Sequence, residues 1–217
     1  GRDIFIRVLA EGDGFVVKMP GIFGSEHRIE SSVHNDVPDA TVLDISLEAN
    51  NADDNNTAFS VREAVAMARD YISHMPSGSF PAVDVLFPAA GNSSNYDGSA
   101  INILQLDRFD WDVIHHEFGH YVQAQLGIAN SPGGLHFIDE NIGERRGKDE
   151  GIRLAWGEAW PTYFGTALQQ FENATSLGIP NVGDLSYSDT ENQDFTYSLE
   201  SESDANFPAS WIRGEDS

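Results

Sequence analysis

The stretch from Asp112 to Gly127, DVIHHEFGHYVQAQLG, constrains this chain more than any other. Ile114, Phe118, Val122 and Leu126 recur every four residues, so one stripe of an α-helix faces a core. Asp110 or Asp112 is placed to cap its start, and Gly127 to end it. In such a helix His116 and His120 stand one turn apart, with β-carbons about 5–6 Å from each other. Both imidazoles therefore reach one ion. Glu117 projects about 100° round the axis from His116. That is too far to join the pair, yet near enough to reach a water on the ion. Zinc hydrolysis needs this division under the His-Glu-x-x-His pattern: two neutral imidazoles hold the metal and a free carboxylate accepts a proton.

A catalytic zinc takes a third protein ligand. Gln123 and Leu126 stand where the metzincin form needs Gly and His, which excludes that class. A second amphipathic helix is predicted from about Gly151 to Phe171, with Leu154, Trp160, Phe164 and Leu168 at helical intervals. Glu158 falls among Trp156, Trp160 and Tyr163, and a carboxylate buried there needs a partner. Glu158 is the expected third ligand. His136, Asp139, Glu140 and Glu144, in the polar segment between the helices, are rival ligands and rank below it. His115 is expected to point away from the pair, beside the metal ligands or at the surface. His27, His34 and His74 have no motif around them.

Elsewhere the chain shows two regimes. DIFIRVLA, GFVVKM, HRIES and TVLDISLE read as strands within residues 1–48. EANNADDNNT, about 49–58, reads as a linker without the regular spacing of a calcium loop. From Phe59 a helix is predicted, capped by Ser60, with Val61, Val65, Ala68 and Ile72 on one face. AVDVLFP and INILQL read as strands, separated by the loop GNSSNYDGS. The formal net charge of −23 opposes binding to nucleic acid or an anionic membrane surface. The absence of cysteine excludes disulfides and thiolate metal sites. The acidic, lysine-poor composition fits salty surroundings or calcium (Ca2+) as an additional ion. No signal peptide stands at the start. Gly1-Arg2-Asp3 reads as a cut end, so an excised piece of a longer, secreted or extracellular protein is expected.

With HHEFGHYVQ on one helix and a Glu on the next, the chain resembles the gluzincin metallopeptidases, which include thermolysin-type enzymes and aminopeptidase N. AWGEAWPTYF is similar to the aminopeptidase ligand helix, Asn-Glu-Gly-Phe-Ala-x-Tyr: Gly157 stands for Asn, Ala159 for Gly, Trp160 for Phe, Pro161 for Ala, and Tyr163 for Tyr. SPGGLH also resembles a set of uncharacterised bacterial proteins with this architecture. The likeness spans roughly residues 60–170. The stretch from Tyr121 to Gly157 is longer than in aminopeptidases, and their exopeptidase signature is not evident.

The resemblance implies an α+β fold: a zincin-like domain over 59–217 with two active-site helices and a mixed sheet, behind the β-rich 1–48 region. It implies zinc (Zn2+) on His116, His120 and Glu158, with Glu117 as general base and a peptide or protein as substrate. It also implies an oxyanion donor, for which Tyr163, Tyr187 and Tyr197 are candidates. In that fold the strand before the His-Glu-x-x-His helix forms the cleft edge. SAINILQL takes that place, with Ser99, Ala100 and Asn102 beside a bound chain. The alternatives are a zinc-binding module without turnover and a metal-dependent hydrolase of non-peptide substrates.

Overall fold

The computed structural model describes residues 1–21, 23–76, 80–134, 146–179, 182–184, 186–189 and 195–198. It is a mixed α/β structure built round a five-stranded mixed sheet. The sheet order is β3 (Glu11–Gly12), β4 (Phe15–Lys18), β7 (Val83–Ala89), β9 (Ala100–Leu104), β8 (Asn95–Tyr96). β4, β7 and β9 run parallel, and the short β3 and β8 run antiparallel at the two edges. Among the described residues three long α-helices complete the frame: α1 (Asp54–Ser73), α2 (Trp111–Leu126) and α3 (Lys148–Phe171). Among the described residues no helix is long and apolar enough to cross a membrane.

Local chemistry explains each of these elements. Val83, Val85 and Phe87 alternate inward along β7, the period of a strand with one buried face. They meet Ile101 and Ile103 of β9, Val61, Val65 and Ala68 of α1, and Ile114, Phe118 and Val122 of α2 in one core. Asp110 caps α2 by accepting from the Val113 N–H at 3.3 Å. Gly127 ends it at φ 68°, a left-handed conformation that a β-carbon disfavours. Both ends lie where the sequence places them. Asp112 is not the cap; its carboxylate accepts from Gln169 Nε2 of α3 at 2.8 Å.

Several expectations change. α1 starts at Asp54, five residues ahead of the predicted Phe59, because Asp53 accepts from the Asn56 backbone N–H at 3.0 Å. Much of the polar stretch thus forms a cap and a first turn. Ser60 instead accepts from Trp111 Nε1 at 3.2 Å. TVLDISLE forms no strand, and Val42 within it is 88 % exposed. β1 (Arg2–Ile4) pairs with β6 (His34–Val37) and β2 (Arg7–Leu9) with β5 (Arg28–Glu30), as separate antiparallel ribbons. β3 and β4 belong to the main sheet, so strands of the N-terminal region are shared with it. His27 adds a further tie: it is buried, and its ring nitrogens reach the Phe87 carbonyl at 2.6 Å and Asn55 Oδ1 at 3.3 Å.

β9 is not the sheet edge. β8 pairs with it antiparallel, Asn95 opposite Asn102 and Tyr96 opposite Ile101. Asp97 makes this possible by bridging the turn. Its carboxylate accepts from the Ser99 N–H (2.8 Å), Ser99 Oγ (2.7 Å), the Ala100 N–H (2.9 Å) and Asn102 Nδ2 (3.1 Å). Burial works to raise its pKa, but these donors outweigh burial and hold it at about 2.

α2 and α3 pack closely against each other. A β-carbon on Gly119 would stand 2.7 Å from Pro161 Cα, and one on Gly165 would stand 3.0 Å from His115 Cβ. Gly119→Ala is expected to lower stability by about 1–3 kcal/mol, the range for overpacking. Alanine's advantage in a helix, about 1 kcal/mol, offsets only part of this. Thermal and urea denaturation measure it, and an unchanged midpoint would show that the helices separate without penalty. Asp97 supplies a second test. Its folded pKa lies below the unfolded value, so its stabilisation is complete above about pH 4 and lost as pH falls through about 2. The stability difference between wild type and Asp97→Asn should shrink across that window in urea titrations. Solvent screening keeps it small, because Asp97 is exposed. A difference that does not vary with pH would contradict this role.

Candidate metal centre

α2 presents His116 and His120 toward α3, which presents Glu158. The two rings stand edge to face, with centroids 4.7 Å apart. Glu158 Oε2 lies 3.3 Å from His116 Nε2 and 3.3 Å from His120 Nε2. One ligand atom from each of the three residues falls within 4.8 Å of the others. The side chains keep 11, 22 and 24 % of their surface for His116, His120 and Glu158, so the cluster opens to solvent on one side.

The tautomer of His116 is set from α3. Thr162 Oγ1 donates to the Glu158 carbonyl at 3.1 Å, one turn back along the helix. Its hydroxyl proton is thereby used, so it accepts from His116 Nδ1–H at 2.9 Å. In the neutral ring, Nε2 then carries a lone pair aimed at a carboxylate oxygen 3.3 Å away. A metal cation, or a proton on that nitrogen, joins the two acceptors. Tetrahedral zinc with bonds of about 2.0–2.1 Å sets its ligands about 3.3–3.4 Å apart. The donor set fits that ion, and two imidazoles with one carboxylate suit zinc better than the all-oxygen shell of calcium.

Glu117 sits beside the cluster. It is buried, and its Oε2 accepts from the Tyr96 backbone N–H of β8 at 2.8 Å. Burial pushes its carboxyl pKa up; the neighbouring imidazoles and the Tyr96 N–H oppose this, and the Glu158 carboxylate adds to it. Burial works against charge on His120, but a hydrogen bond to Glu158 and the nearby Glu117 carboxylate outweigh it, so the His120 pKa is raised. Gln123 also bonds to His120 through its side chain.

The other candidates distribute as follows. His115 is fully buried, not at the surface. Its Nε2 donates to the Ala64 carbonyl at 2.9 Å, its ring meets Trp111 edge-on, and burial lowers its pKa to about 4. The aromatic enclosure expected round Glu158 is absent, because Trp156 and Tyr163 are 52 and 68 % exposed. The partner of Glu158 is the imidazole pair. Tyr163 lies five residues beyond Glu158, about 140° round the helix. Its hydroxyl is within electrostatic reach of Tyr71. Tyr187 and Tyr197 pair across β10 (Ser186–Asp189) and β11 (Phe195–Ser198), and β10 runs beside α2 and α3. The side chains of Tyr187 and Tyr197, and all of His136, Asp139, Glu140 and Glu144, lie outside the described residues.

Three contributors escaped the sequence reading. Thr162 and Gln123 carry a faint signal, standing four residues after Glu158 and three after His120. The Tyr96 N–H carries none, since it is a backbone atom delivered by a turn. No protein-family model matches this chain, and neither a curated protein nor a solved structure matches it. Thr162→Val removes the acceptor for His116 while keeping the volume. It should weaken zinc binding about 10–100-fold, the usual effect of losing a group that orients a ligand. Competition titration against a chromophoric chelator measures this. Wild-type affinity in that variant would show that Thr162 does not orient His116.

Proposed function

We propose that this chain is a single-zinc peptidase of the gluzincin type with a zincin-like architecture, hydrolysing peptide bonds of a peptide or protein substrate. One observation carries the reading: His116 Nε2 and His120 Nε2 converge on Glu158 Oε2 at 3.3 Å each, with the buried carboxyl of Glu117 beside them but outside the triad. His116, His120 and Glu158 would hold the ion. When bound, zinc supplies Lewis-acid polarisation of a carbonyl and acidification of water.

The protein's own groups do the rest. Thr162 keeps the His116 Nε2 lone pair on the ligand side. The Tyr96 N–H anchors Glu117 Oε2, which leaves Oε1 to take a proton from water. A carboxyl pushed up by burial holds that proton nearer neutral pH than an exposed one, then delivers it to the leaving amine. β8 is the sheet edge bonded to Glu117, and an extended peptide added along it would pass the base. A secreted or extracellular setting suits such an activity and the acidic composition.

A zinc-binding module without turnover is the second reading. Tyr163 favours it, since this candidate oxyanion donor lies far round the helix from Glu158. Casein or peptide-library hydrolysis separates the two. Hydrolysis should stop with a chelator and return with zinc. Glu117→Gln should cut turnover at least 100-fold while metal content stays at about one ion in this site, whereas His116→Ala should lose that ion. Full turnover in Glu117→Gln would remove the base from the mechanism. Zinc-loaded wild type with no hydrolysis would leave the binding module standing.

A further inference from the structure

The C-terminal ends of α1 and α3 meet at a second cluster, composed of Asp70, His74 and Glu172. Asp70 and His74 stand one turn apart, and His74 is the C-cap of α1. Glu172 is the C-cap of α3. One ligand atom from each of the three falls within 4.8 Å of the others. His74 also packs against Phe171, ring centroids 5.3 Å apart.

Negative charge gathers at this corner. A helix C-terminus carries roughly half a negative charge. Two such ends and two carboxylates gather here, and neither helix has a basic residue in its last turn. Burial and the adjacent Asp70 carboxylate raise the Glu172 pKa, a hydrogen bond with the Asp70 side chain adds to this, and the nearby His74 opposes it. Glu172 Oε1 is shut off from solvent and accepts no hydrogen bond from the described residues. Among the described residues His74 makes no ion pair within 4.0 Å of either carboxylate, and its imidazole offsets their charge only in part. Its Nδ1–H donates to the Asp70 carbonyl at 2.9 Å, which leaves Nε2 as the lone-pair nitrogen.

We propose that Asp70, His74 and Glu172 bind a divalent transition-metal ion of the zinc class, which clamps the end of α1 to the end of α3. An imidazole with two carboxylates is a donor set for zinc rather than for calcium. The ion answers three features at once: the enclosed Oε1, the crowded carboxylates and the two helix ends. This site is independent of His116, His120 and Glu158, and neither needs the other to be occupied.

The test uses the 217-residue chain, stripped with chelator and dialysed against Zn2+. Wild type should hold about one ion per chain more than His74→Ala or Glu172→Gln. Zn2+ should also raise the thermal midpoint of wild type by more than that of Glu172→Gln. His116→Ala should keep this ion while losing the other, so the two sites fail separately. Glu172→Gln preserves side-chain shape, and it decides the matter if His74→Ala, deprived of its bond to Asp70, does not fold. Equal metal content in wild type and Glu172→Gln overturns the proposal. An equal loss in His34→Ala also overturns it, because it would mark indiscriminate uptake by imidazoles.

Discussion

The close approach of α2 and α3 is the constraint on which the rest depends. Packed helices usually lie 8–10 Å apart according to the side chains between them. Gly119 and Gly165 remove those side chains where the helices meet, and Pro161 and His115 fill the space. A carboxylate on α3 thereby reaches two imidazoles on α2. The same contact puts Thr162 within 2.9 Å of His116, so the imidazole and the group that orients it arrive together. Gly157 extends the principle outward: a β-carbon there would stand 2.9 Å from Ser131 Cβ, which seats the chain leaving α2 against the helix that carries Glu158.

Much of this frame was legible in the sequence, though unevenly. α2 was readable because four apolar residues, an Asp cap and a Gly terminus agree about one helix. Glu158 stands out in the sequence by reasoning that only partly holds. Aromatic neighbours suggested a buried charge, yet two of the three face solvent and the imidazoles are the partner. β8 was missed because a two-residue strand has no periodicity; side-chain bonds from Asp97 shape the turn that sets it. TVLDISLE shows the converse failure. Its apolar alternation fits a strand, but among the described residues no strand pairs with it to satisfy its backbone.

Scarcity of cations shapes the interior as well as the surface. There are 12 lysines and arginines against 35 aspartates and glutamates. Arg69 nevertheless bonds carbonyl oxygens of Asp13, Phe80 and Pro81 together with the Tyr121 hydroxyl, bracketing α1 to the sheet and to α2. Arg62 reaches the Glu11 carbonyl in the same manner, while also pairing with Glu63. Some of the few positive charges thus hold backbone in place. Where carboxylates gather with histidine, balance has to come from protons or metal ions.

The Tyr96 N–H belongs to two systems at once. It is an atom of the outermost strand, and it is a hydrogen-bond donor to Glu117. Drawing that strand outward would take the donor from the carboxylate and make it more basic; pressing it inward would do the opposite. Proton affinity inside the fold is therefore tied to the position of its rim. Whatever grips the rim tunes the acid strength of a group it need never touch.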